Sequence, residues 1–145
     1  MPFEKSAGFV IFRKEAGKIF YLLLHYPAGS RASKDFWEFP KGHIEKGENA
    51  LATAKRELIE ETKIKDLIVI DGFKEWIKYF FVASDKKIFK IVTFFLGETK
   101  QENIEISSEH IGFLWVEFPE ACKIVSFKNS KKILEKVNYF LSENG

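Results

Sequence analysis

Cysteine is nearly missing from this 145-residue chain, where Cys122 stands alone. No internal disulfide can form, and a zinc cluster built on cysteines is excluded. Long apolar runs are missing as well. No window approaches the roughly 20 residues that a membrane helix needs, so no membrane partner is expected. The N-terminal MPFEKSAGFVIFRK carries charges in and around its apolar stretch, and it lacks the apolar core and cleavage site of a secretory leader. A cytoplasmic, soluble protein is the expectation. There is also little excess of either charge, with 23 Lys+Arg against 21 Asp+Glu and a net charge of +2. That balance argues against a protein that coats nucleic acid, and it leaves room for a small anionic ligand.

What the chain does have is apolar bulk. Hydrophobic residues make up 46% of it, and sixteen are Phe. The length suits one domain, residues 1–145, with a single core. No repeat, low-complexity tract or linker interrupts it. Ser6–Phe12 and Ile19–Tyr26 read as a hairpin of strands buried on both faces, turning at Lys14–Lys18. Pro27–Phe36 reads as an exposed loop, and Pro40 bars a helix before Gly42. A helix is expected from an Asn49 cap to about Thr62, with Leu51, Ala54 and Leu58 as its apolar stripe. Three strand-like runs follow, Leu67–Phe73, Trp76–Ala83 and Ile88–Leu96, the last two forming a hairpin across Ser84–Lys87. Glu98–Glu109 reads as a loop and Ile111–Val116 as a strand. Pro119 sits where a helix would start, and Asn129–Leu141 has helical spacing. This order points to an α+β or sandwiched α/β/α domain with a mixed sheet.

The helix from Asn49 carries an electrostatic oddity. At about 100° per residue, Glu57, Glu60 and Glu61 fall on one face roughly 100° wide, where like charges repel. Such a cluster implies a positive group among them. Oxygen-only sites suit Mg²⁺ or Mn²⁺, so the residues point to a metal-dependent enzyme acting on phosphates.

The spacing from Gly42 through Glu48 to Arg56-Glu57-Leu58-Ile59-Glu60-Glu61 and on to Ile64 resembles the Nudix box, residues 42–64. One position departs: Lys63 stands where the family pattern has Gly at the end of the helix. Trp37-Glu38-Phe39-Pro40-Lys41-Gly42-His43 is similar to a segment of the asymmetric diadenosine tetraphosphate hydrolases of that family. So are Glu109–Trp115, Glu120-Ala121-Cys122 and Phe127-Lys128. The resemblance covers most of the chain. It implies a Nudix-type α/β/α sandwich and Mg²⁺-dependent cleavage of diadenosine tetraphosphate to ATP and AMP, with Mn²⁺ as a substitute metal.

The roles it implies are these. Glu57 and Glu61 are principal metal ligands, and Glu60 is a further ligand or positions water. The Gly42 carbonyl reaches the metal. Arg56 bonds Glu48 and orients the ligands. Glu109 is a metal ligand or the general base, with Glu105 as its substitute. Lys41, His43 and Lys90 face the polyphosphate, Lys90 being preferred over Lys86 and Lys87. Tyr79 and Phe127 stack a base. A monomer is expected. The same glutamates would serve an RNA 5′-pyrophosphohydrolase, whose capped or triphosphorylated RNA end is the one nucleic-acid partner entertained. A nucleotide sensor without catalysis is the alternative of another class.

Overall fold

The computed structural model describes residues 2–29 and 32–144. Ser30 and Arg31 of the expected loop lie outside the described residues. Strand β1 (Phe3–Glu15) turns into β2 (Lys18–Tyr26) through Ala16 and Gly17, both at positive φ. Strand β5 (Ile68–Ala83) turns into β6 (Lys86–Glu98) through Ser84 and Asp85, again both at positive φ. Two-residue turns of that kind match the right-handed twist of the strands they join. Between the hairpins come the three-residue strands β3 (Phe36–Glu38) and β4 (Lys41–His43), then helix α1 (Ala50–Thr62). Strand β7 (Gly112–Val116) and helices α2 (Phe118–Ile124) and α3 (Lys128–Asn144) complete the chain.

The sheet runs β3-β2-β1-β6-β5, with β4 added to β1 and β7 to β2. Among the described residues, all strand pairings are antiparallel except one. Strand β1 lies parallel to β6 from Phe3↔Phe89 to Phe12↔Glu98, and this seam joins the two hairpins. Alternation along β1 sends Ala7, Phe9 and Ile11 to one face, where they pack with Ala54, Leu58 and Ile64 at α1. Val10 and Phe12 go to the other face and pack with Ala121 of α2 and Ile133, Leu134 and Val137 of α3. The result is the expected α/β/α sandwich with a mixed sheet. Truncating a fully buried anchor such as Leu58 to Ala would cost about 2–5 kcal/mol.

Helix α1 follows its local signals. The Asn49 side chain accepts from the Ala52 N–H at 2.8 Å, and Lys63 closes the helix in the left-handed region at φ +60°. Pro119 occupies the first turn of α2, where its missing N–H is no loss. Two expectations are corrected. Leu67–Phe73 and Trp76–Ala83 are one strand whose register breaks between Val69 and Lys74, where Gly72 adopts φ +93°. The bulge bends the strand and hides its continuity from a period-two reading. In addition, Phe36, expected at the end of the loop, opens β3, and neither β3 nor β4 is long enough to show a period. Among the described residues no helix is long and apolar enough to cross a membrane.

Candidate active site

Helix α1 is held at its start by more than its cap. The Glu48 carboxylate accepts from the Glu45 N–H at 3.0 Å and from the Thr53 hydroxyl at 2.8 Å. Arg56 donates to the same carboxylate through Nε at 2.7 Å and Nη2 at 3.0 Å. These bonds hold the Glu48 carboxyl down at about 2, the Arg56 bond being the largest cause. Arg56 also donates through Nη2 to the His43 carbonyl at 3.2 Å and through Nη1 to Glu57 at 3.1 Å and Glu60 at 3.3 Å. One guanidinium thus ties the helix to the loop before it and fixes the rotation of the glutamate face.

Glu57 and Glu61, one turn apart, line a cavity of about 750 Å³. Burial raises the Glu57 carboxyl to about 7, with the charge of Glu61 as the next cause. Burial also raises Glu61, against the opposing effects of His110 and Lys41. Gly42 packs directly on the first of these carboxylates, and a Cβ there would overlap it. Glu60 is exposed and bonded to Arg56, and it does not line the cavity. The helical period places all three glutamates on one face, and the cavity takes only two of them.

The opposite bank of the cavity comes from the second hairpin and the start of α3. Lys90, buried on β6, and Tyr79 on β5 both line it, as does half-exposed Phe127 just before α3. Lys41 and His43 of β4 and Glu109 of the loop before β7 line it too, whereas Glu105, Lys86 and Lys87 do not. His43 is exposed, with Nδ1 3.9 Å from Glu4. Phe127 is set by the docking of its segment on β3. The Trp37 N–H donates to the Ser126 hydroxyl at 2.9 Å, and the Phe127 ring lies 5.4 Å from that of Phe36.

Two further buried side chains beside the site escape sequence reasoning. His110 is buried, with Nε2 3.0 Å from Glu61 Oε2. The Ser107 hydroxyl accepts from the Glu109 N–H at 3.3 Å and lies 2.9 Å from His110 Nδ1. In the tautomer in which Ser107 donates to Nδ1, the Nε2 proton faces Glu61. Glu38 is also buried. It accepts from the Phe39 N–H at 3.0 Å and the Ser130 hydroxyl at 2.7 Å. Burial raises its carboxyl, opposed by the nearby charges of Lys41 and Lys90. Glu38 thus lies within reach of the charges of two cavity lysines, Lys41 and Lys90. Both residues lie in segments that the family resemblance already marks, but no periodicity flags them.

The donors suit a hard divalent cation. Among the described residues no three His, Cys, Asp or Glu side chains converge to enclose a metal. Mg²⁺, however, keeps several waters and takes only one or two carboxylates along with phosphate oxygens. Glu57 and Glu61 supply that pair. Glu61 Oε1 is buried and accepts no hydrogen bond, an arrangement that a cation would satisfy. The chemistry available is a carboxylate pair facing buried or half-buried lysines and aromatic rings across one cavity.

Comparison with known proteins places this geometry. The NUDIX domain family matches residues 2–137. The chain is 37% identical to the bis(5′-nucleosyl)-tetraphosphatase [asymmetrical] of Mus musculus, over 94% of this chain and 95% of that protein. It superposes on a crystal structure of a C. elegans Ap4A hydrolase binary complex with a TM-score of 0.83 and 33% identity, covering 97% and 98% of the two chains. An RNA pyrophosphohydrolase of Bartonella bacilliformis is 34% identical over 56% of this chain and 48% of its own length.

Proposed function

The chain belongs to the NUDIX family as a hydrolase, and from that premise we propose that it cleaves diadenosine tetraphosphate with water, giving ATP and AMP. The observation that carries the reading is the single cavity in which Glu57 and Glu61 face Lys41 and Lys90, with Tyr79 and Phe127 beside them. A four-phosphate linker needs both ends of that arrangement, and an adenine needs the rings.

In this reading Glu57 and Glu61 hold Mg²⁺, or Mn²⁺ in its place, with Gly42 leaving room for Glu57. A bound cation would offset phosphate charge and make water more acidic. Lys41 and Lys90 neutralise the remaining phosphate oxygens as point charges, with His43 at the rim. Tyr79 and Phe127 stack one adenine, a contact worth ~1–3 kcal/mol. Glu109, on the loop over Glu61, takes the proton of the attacking water. Glu60 acts with Arg56 and Glu48 to keep the helix rotation that aims Glu57. His110 holds Glu61 by its Nε2 proton. The enzyme acts as a monomer in the cytoplasm.

The test is a substrate panel with Mg²⁺: dinucleoside polyphosphates, triphosphorylated and capped RNA, ADP-ribose and dNTPs, with products resolved by chromatography. Diadenosine tetraphosphate should have the highest kcat/KM and yield ATP and AMP in equal amounts. Preferred turnover of triphosphorylated RNA would overturn the assignment, and symmetric cleavage to ADP would overturn the proposed point of attack.

A further inference from the structure

The sheet face that turns away from the cavity carries a second pattern. Beyond the reach of α1, strands β5, β6 and β1 present their outward residues in cross-strand rows. Trp76 pairs with Thr93, Lys78 with Ile91, Phe80 with Phe89 and Val82 with Lys87. On the other side of β6, Lys5 pairs with Ile91 and Phe3 with Phe89. Rings therefore alternate with ammonium groups along the strands, and each row follows the last by two residues, about 6.8 Å. The rings form a continuous strip, with centroids 4.9 Å apart for Phe80–Phe89 and 5.5 Å for Phe3–Phe89. Trp76, Phe80 and Phe3 are about half exposed. A groove of about 560 Å³ opens between this face and the start of α1, lined by Lys5, Lys78, Trp76 and Asn49.

The charge around the rings is mainly positive. Lys5, Lys74, Lys78 and Lys87 are exposed. Of the acids in the same strands, Glu4 and Glu75 have the opposite parity, Glu75 being held at 2.8 Å by Lys136 of α3, while Glu15, Asp71 and Glu98 lie toward the other end of the sheet. Glu48, which also lines the groove, is committed to Arg56. The chain's net charge of +2 thus conceals a segregated surface. Lys5, Lys74 and Lys87 each lie over a ring, of Phe3, Trp76 and Phe80 respectively. A short swing of each side chain would move its charge to a phosphate and uncover the ring.

We propose that this face binds single-stranded nucleic acid, its bases stacking on Trp76 and the Phe80–Phe89–Phe3 strip and its phosphates meeting Lys5, Lys74, Lys78 and Lys87. The interleaving selects this occupant. A membrane-inserting surface gathers its apolar groups into one cap with cations at the rim, whereas here lysine rows divide the rings. A duplex hides its bases and has no use for the rings. The face supplies charges and rings with few groups able to read a sugar, so ribose and deoxyribose strands should bind alike.

The test uses fluorescein-labelled 12-mers of RNA and DNA with 5′-hydroxyl ends, which carry no polyphosphate for the catalytic cavity. Anisotropy should show binding that weakens about 50-fold between 50 and 200 mM salt, as about four phosphate contacts on a single strand dictate. Trp76→Ala should weaken it at least fivefold and Lys5→Glu/Lys78→Glu more than tenfold. Both variants should keep the wild-type thermal melt and the wild-type hydrolysis rate. Equal binding by a duplex, by polyglutamate of the same length or by adenosine monophosphate would overturn the proposal. So would unchanged binding in the double variant, or sedimentation with phosphatidylserine vesicles in the absence of oligonucleotide binding.

Discussion

Glu57→Gln separates what the carboxylate does for the fold from what it does for the reaction. In the folded protein burial and Glu61 lift Glu57 from its ordinary 4.5 to about 7. Between those pH values the folded chain holds a proton that the unfolded chain has lost, so stability falls as pH rises across the window. Below the lower value there is no penalty, and above the upper one it is complete. At about 1.36 kcal/mol per tenfold change in acidity, the shift corresponds to about 3 kcal/mol. The side chain is 17% exposed and lies against Arg56, and solvent screening reduces the figure to about 1–2 kcal/mol. Glutamine keeps the size and the acceptor for Arg56 and removes the charge. Urea unfolding in EDTA should therefore find the variant more stable than wild type by about 1 kcal/mol at pH 8.5 and equal to it at pH 4.5. With Mg²⁺ the order should reverse, because only the wild type gains the full stabilisation of a bound ion. Activity of the variant should fall at least a hundredfold. A variant less stable than wild type at pH 8.5 in EDTA would refute the claim that Glu57 is a strained anion awaiting a cation.

Three further outcomes are expected. Lys63→Gly should raise stability by about 1 kcal/mol, since a side chain is held at φ +60° there; a lower melting temperature would contradict this. Gly42→Ala should keep the circular dichroism spectrum while losing at least a hundredfold in kcat, because the new methyl displaces the Glu57 carboxylate. His110→Ala should lower kcat about 10–100-fold by releasing Glu61 and weaken Mg²⁺ affinity in calorimetry; unchanged affinity would mean that His110 serves packing alone.

The chemistry of α1 was legible because it is local. Asn49, the apolar stripe and the glutamate face are all set within a few turns of one helix, and the structure reproduces them within a residue. Where the helix points is a long-range matter. The period that groups Glu60 with Glu57 and Glu61 says nothing about which side meets the cavity. His110 and Glu38 are hidden for the same reason: each acquires its role from a residue distant in sequence, Glu61 and Ser130 respectively. The division of β5 into two apparent runs has a different origin. Gly72 and the shifted register interrupt the alternation without ending the strand. The near-neutral total charge is silent on placement, since composition cannot record that alternation sends Lys5 and Lys78 to one face and Glu4 and Glu75 to the other.

The parallel seam between β1 and β6 has a consequence for how the molecule acquires its activity. Each hairpin can close locally, on a short loop. The pairing of Phe3 with Phe89 must instead close most of the chain between them, which makes it entropically the more demanding and the later event. The carboxylates of α1 ride with the first hairpin, and Lys90 and Tyr79 with the second. Until the seam zips, the two banks of the cavity stay apart. The cavity is therefore completed by long-range contacts rather than by secondary structure. A chain that is still folding, or has begun to come apart, does not hold the two banks of the cavity together.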